Sequence, residues 1–202
     1  MNELATARPG GDGPVEAPEW APAVDARLTA AGTWMFLLAD VFYFAAFFFA
    51  FAYLRSMNNN TSWLPPGTTK PTLGIGAAIV LLMLVAAGAY FAAVRDLAPA
   101  RGLLWLTLIA GVAAIGLQVY EFGHLGWDPQ QGGGYPSVFV GIKGSLTVQL
   151  AVALLWLVSH IAQSGPAGDF GVRRTTARSF GNILIFLAGV SLLAFITLYF
   201  LL

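Results

Sequence analysis

Few side chains in this sequence could carry chemistry, and they are sparsely placed. Asp40, Gln118, Glu121, His124, Lys143, Gln149 and His160 lie within or at the ends of long apolar stretches, where a polar group is costly and function is the default expectation. Asp40 sits nine residues into an apolar run beginning near residue 31, hence about 13 Å along a helix and close to the middle of a bilayer. At that depth a carboxylate must be protonated, hydrogen-bonded or paired. Two roles fit it: a fastener between helices, or a proton-linked group. Its face at spacings of three and four reads Phe36, Tyr43, Phe44 and Phe47, and these with Trp34 form an aromatic packing face expected to meet protein.

Gln118 and Glu121 are three residues apart and share one helix face. Tyr120, Phe122 and Trp127 surround them as an interfacial belt would, so Glu121 reads either as an interfacial anchor or as half of a buried pair. Lys143, at a comparable depth, is its candidate partner, with outward snorkelling as the alternative. The two histidines cannot cooperate. His124 falls at one end of a span and His160 at the opposite membrane face, so they cannot meet at one metal or haem, and both read as interfacial. Cysteine is absent from the 202 residues, which excludes disulfides, thiolate metal sites and cysteine nucleophiles. No catalytic residue, cofactor ligand or metal ligand is therefore assigned to this chain.

The elements that position these groups follow from composition. Of the residues, 57% are apolar and 10% charged, whereas soluble domains carry about 25% charged residues. The net charge is zero and the ten basic residues are scattered, so no nucleic-acid footprint is present. Spanning about 30 Å of hydrocarbon takes about 20 apolar residues in helix, and five stretches qualify: 31–54, 73–94, 102–122, 138–161 and 180–202. Prolines, asparagines and glycines punctuate the gaps, including Asn58, Pro65, Pro66, Pro99, Pro129 and Gly165. The expected fold class is all-α, a five-helix transmembrane bundle, preceded over residues 1–30 by a proline-rich mobile tail that is not a cleavable signal. With the N-terminus cytoplasmic, Arg8, Arg27, Arg95, Arg101, Arg173, Arg174 and Arg178 lie inside and only Arg55, Lys70 and Lys143 outside. The positive-inside bias thus predicts a cytoplasmic N-terminus and an external C-terminus.

Several segments, in order, resemble one family. The run from Trp34 through Asp40 to Tyr53 resembles the helix of cytochrome c oxidase subunit III that carries an acidic residue before an aromatic-rich stretch, with Asp40 where the family usually has Glu. Trp63-Leu64-Pro65-Pro66 is similar to its Trp-Pro-Pro loop, with a leucine inserted. Gln118-Val119-Tyr120-Glu121-Phe122 matches its Gln-x-x-Glu-aromatic motif, followed by His124, and Tyr135-Pro136-Ser137-Val138-Phe139 resembles its entry to the next helix. Leu146 and Gln149 stand where the family has two histidines, and Leu184 to Ala188 replace a Trp-His-Phe-Val-Asp run. The Asp, preceded by Trp-x-Phe, is more like homologues associated with nitric oxide reductases. The resemblance covers about residues 34 to 150 and suits the short bacterial form with five helices.

The resemblance implies a non-catalytic subunit in a bacterial cell membrane, packed against the catalytic subunit I and other subunits of a haem–copper oxidase. It implies haem and copper in those partners, structural phospholipid on this chain, and support of proton uptake. A small proton-linked transporter or channel centred on Asp40, or an assembly or anchoring protein, are the alternatives. Against the transporter, no internal repeat or paired broken helix is visible.

Overall fold

Hydrocarbon offers backbone amides no water, so a run of this length must satisfy them within itself as helix. In the computed structural model every apolar stretch does so. The structure describes residues 21–57, 63–64, 69–95, 100–127, 133–163 and 174–201. The elements are α1 (Ala21–Met57), α2 (Leu73–Val94), α3 (Ala100–Leu125), α4 (Gly134–Gln163) and α5 (Arg174–Phe195), with a π-helical turn over Ile196–Phe200 ending the last span. All five are long and apolar enough to cross a membrane. The chain is an all-helical, multi-pass membrane protein.

The boundaries expected from hydropathy are met by α2 and lengthened elsewhere. α1 begins at Ala21, ten residues before the expected start, so residues 21–30 are helix and not tail. The segment is alanine-rich, and Pro22 occupies the first turn, where a missing N–H costs nothing. α4 likewise starts early, at Gly134, with Pro136 in its first turn. The remainder of the expected mobile tail, and Asn58, Pro65, Pro66, Pro99, Pro129 and Gly165, lie outside the described residues.

Successive helices run antiparallel. The near face of the bundle is defined as the side where α1 begins, α2 ends and α5 begins; the far face is the opposite side. α2 packs between α3 and α5, α3 against α4, and α4 against α5, while α1 lies across α4 and α5. The α2–α3 seam is tight because α2 presents Ala86, Ala87 and Ala93, all buried. Small residues let backbones approach. Thr107 uses that closeness, its hydroxyl donating to the Leu103 carbonyl at 2.9 Å and reaching the Ala86 carbonyl of α2 at 3.3 Å.

Aromatic clusters lock both ends. At the far face Trp127 meets Phe139 edge-on at 5.1 Å between centroids, and Trp63 meets Phe51 at 5.3 Å and Tyr135 at 5.7 Å. Trp63 belongs to the loop after α1, and its carbonyl accepts the Tyr135 N–H at 3.0 Å. At the near face Trp156 stacks on Phe180 at 4.3 Å and on His160 at 4.8 Å. Such pairs contribute about 0.5–1.5 kcal/mol each beyond their area.

α1 is the exception to this close packing. Only a narrow stripe of it is buried, at Leu37, Asp40, Phe44 and Phe51, while Trp34, Met35, Leu38, Phe42 and Phe49 face outward.

Candidate functional site: two intramembrane polar clusters

The first cluster lies toward the far face and draws on three helices. α3 supplies Gln118 and Glu121 one turn apart, and the Gln118 amide donates to Glu121 Oε2 at 3.3 Å. From α4, Lys143 places Nζ 3.7 Å from the same oxygen, both side chains being 2% exposed. Lys143 therefore pairs inward and does not snorkel. Its ammonium also lies 5.4 Å from the Tyr199 ring centroid and 5.9 Å from that of Phe139, within reach of cation–π attraction. The π turn brings in the Tyr199 hydroxyl, which donates to Glu121 Oε1. Burying two charges is costly unless their remaining hydrogen-bonding groups are satisfied. Here both oxygens of Glu121 are engaged.

Two neighbours hold that arrangement. A methyl group at Gly76 of α2 would fall 2.5 Å from Tyr199 Cζ, so the glycine provides the slot for the tyrosine ring. Tyr135 at the start of α4 donates its hydroxyl to the Leu198 carbonyl at 2.7 Å, satisfying one of the acceptors that the end of a helix leaves open. Beside Lys143 and Gln118 is a cavity of about 20 Å³, also bordered by Thr147 and Ser191, the size of a single water.

The second cluster lies between α1 and α4. The Gln149 amide donates to Asp40 Oδ1 at 3.1 Å, and one turn further along the antiparallel pair Tyr43 and Ser145 share a hydroxyl hydrogen bond of 2.8 Å. Asp40 is buried against protein. The other oxygens, Asp40 Oδ2 and Gln149 Oε1, have no hydrogen-bond partner among the described residues. Asp40 and Gln149 border a cleft of about 440 Å³ walled by Phe36, Trp156, Phe180 and Ile183, with Thr29, Thr33, Thr176 and Ser179 also lining it.

The aromatic face expected around Asp40 divides. Phe44 is buried and Phe47 partly so, seated where Gly141 of α4 leaves room, whereas Trp34, Phe36 and Tyr43 are exposed in the single chain. His124 is exposed and stacks on Tyr120 at 5.8 Å. His160, in the last turn of α4, is buried and stacks on Trp156. Leu146, at one of the replaced histidine positions, is core, as are Leu184, Leu187 and Ala188. Among the described residues, no three His, Asp or Glu side chains converge as metal ligands would.

Sequence reasoning missed Tyr199, Tyr135 and the Asp40–Gln149 pairing. Tyr199 had a usable signal: α3 and α5 both end at the far face, so a tyrosine three residues before the terminus and a glutamate late in α3 share a depth.

A five-span membrane protein whose intramembrane carboxylates tie helices together is the class this fold and these sites define. Comparison with known proteins narrows it. The chain is 25% identical over 181 residues to cytochrome bo(3) ubiquinol oxidase subunit 3 of Pseudomonas putida, covering 86% of each protein. It is 28% identical over 143 residues to the subunit of the same name from Pseudomonas aeruginosa, covering 67% of this chain and 66% of the relative. To cytochrome c oxidase subunit 3 of Alkalihalophilus pseudofirmus it is 28% identical over 135 residues, covering 63% and 64%. No family model matches the chain. The chain is thus similar, at low identity, to subunit 3 of cytochrome bo(3) ubiquinol oxidases and of a cytochrome c oxidase.

Proposed function

We propose that this chain is a non-catalytic subunit of a haem–copper oxidase-type respiratory complex in a bacterial cell membrane. It packs against the catalytic subunit, where haem and copper reside, holds structural phospholipid and supports proton uptake. The observation that carries this reading is the employment of its polar residues. Glu121, Lys143, Gln118 and Tyr199 are consumed by one interhelical network, and Asp40 by a second, so the buried chemistry fastens helices. The outward apolar face of α1, with Trp34, Phe42 and Phe49, is the surface available to a neighbouring subunit.

Mild-detergent purification of the tagged chain, with partner identification and an optical spectrum, tests the proposal. Larger subunits carrying haem and copper should co-purify in stoichiometric amount. A lone oligomer without haem would favour a transporter, and partners found only in immature complexes would favour an assembly factor.

A second reading, a proton-linked role centred on Asp40, is favoured by Oδ2 and by its cleft. Turnover in Asp40→Asn complexes separates it from the fastening role.

A further inference from the structure

The two oxygens left without partners in the α1–α4 seam belong to side chains that already touch. The Gln149 amide donates to Asp40 Oδ1 at 3.1 Å, and the unpartnered atoms are the other halves of the same two groups, Asp40 Oδ2 and Gln149 Oε1. Both atoms are buried, and both are acceptors so long as the carboxyl is ionised. A proton on Oδ2 turns one of them into a donor. An O–H···O bond to Gln149 Oε1 then closes a ring of two antiparallel hydrogen bonds and leaves neither oxygen bare. From this we infer that Asp40 and Gln149 form a proton-binding site, a neutral acid–amide ring that keeps Asp40 in its carboxylic-acid form in the finished bundle.

The surroundings supply nothing to hold a charge. The cleft beside the pair takes its walls from α1, α4 and α5, and among the residues bordering it Asp40 alone is titratable. Tyr43, one turn along α1, is tied to Ser145 by a hydroxyl hydrogen bond of 2.8 Å. Lys143, six residues before Gln149 on α4, is committed to Glu121 at 3.7 Å. An ionised Asp40 would therefore face a single neutral amide at the depth where an unpaired charge is most costly. Glu121 shows the other solution. With an ammonium, an amide and a phenol around it, that carboxyl has the partners an ionised group needs. The chain thus holds its two intramembrane carboxyls in opposite charge states, each set by its neighbours. Turning the Gln149 amide over exchanges the roles of the two carboxyl oxygens and preserves the ring.

The ring gives a chemical form to the fastening role of Asp40 and rests on that reading, but it is measured on the full chain alone, by infrared spectroscopy. Aspartate labelled at its side-chain carboxyl identifies the signal. The other five aspartates lie outside the membrane spans, where water keeps them ionised at neutral pH. The reconstituted wild type at neutral pH should show a label-sensitive carboxylic-acid C=O band that Asp40→Asn lacks. Gln149→Leu should move the band to higher frequency, because the carbonyl loses its N–H donor. Gln149→Lys should extinguish it and raise carboxylate bands in its place, because an ammonium there supplies the missing counter-charge. A wild type whose label-sensitive intensity is all carboxylate overturns the ring, and that measurement requires no variant to fold. So does an acid band that Gln149→Leu leaves at the same frequency, which would mean a proton held without the amide. Turnover abolished by Asp40→Asn in an assembled complex, with the band and its response to Gln149 intact, would instead count only against the fastening role.

Discussion

Lys143 of α4 and Glu121 of α3 face each other at 3.7 Å, each 2% exposed. Buried pairs of this kind are asymmetric in their effects: removing one partner strands the other charge, whereas removing both is often close to neutral. Lys143→Met alone should destabilise the chain by about 3 to 5 kcal/mol. Lys143→Met combined with Glu121→Gln should recover most of that loss. Thermal unfolding of the purified variants in one detergent measures the difference, and equal losses in the single and double variants would refute the pairing as a stabilising unit.

Tyr199 depends on Gly76 for its position, which yields a second expectation. Tyr199→Phe removes a charge-assisted hydrogen bond to Glu121 and should cost about 1.5 to 3 kcal/mol. Gly76→Ala drives a methyl into the tyrosine ring and should cost about 1 to 3 kcal/mol. The two changes should be less than additive, because both release the same hydrogen bond. Strict additivity would show that Gly76 serves some other contact.

For Asp40, shape and charge can be separated. Asp40→Asn retains an oxygen for the Gln149 amide and should preserve folding and assembly, while Asp40→Leu leaves Gln149 unsatisfied at about 1 to 3 kcal/mol. Under the fastening role, turnover of the assembled complex continues in both variants. Turnover abolished by Asn in a fully assembled complex would establish the proton-linked role in its place.

The distribution of arginines gives a topological expectation. Fusions of a periplasm-active reporter between residues 58 and 70 should be active, and fusions before α1 inactive. The reverse pattern would invert the proposed orientation. Metal analysis of the purified chain gives another check: less than one haem, iron or copper per chain is expected, since its histidines lie at opposite faces and cysteine is absent.

Depth was legible in the sequence; rotation was not. An apolar run states where a helix crosses, so the five spans and the common level of Glu121 and Lys143 could be read from hydropathy and counting. Which side of a helix faces protein requires a periodic contrast, and these helices are apolar all round, as buried or membrane helices are. Hence Trp34 and Tyr43 belong with Phe44 by residue type, yet the fold leaves them exposed in the single chain, and nothing in the apolar run shows that Trp156 covers His160. Gln149 shows the same limit. As a departure from a histidine motif it read as a loss, whereas across the α1–α4 seam it is the hydrogen-bond partner of Asp40.

Among the described residues, α1 packs chiefly against α4 and α5, which are made after it. A chain made from its N-terminus must therefore hold α1 in lipid before Gln149 exists, with Asp40 unaccompanied. By insertion scales an aspartate at mid-helix costs about 2.5 to 3.5 kcal/mol, and each phenylalanine returns about 0.3 to 0.6 kcal/mol. α1 carries seven phenylalanines, at 36, 42, 44, 47, 48, 49 and 51, together comparable to the aspartate's cost. Phe36, Phe42 and Phe49 stay exposed in the single chain, yet they contribute to this balance from the moment the helix enters the bilayer, before α4 and α5 have been made.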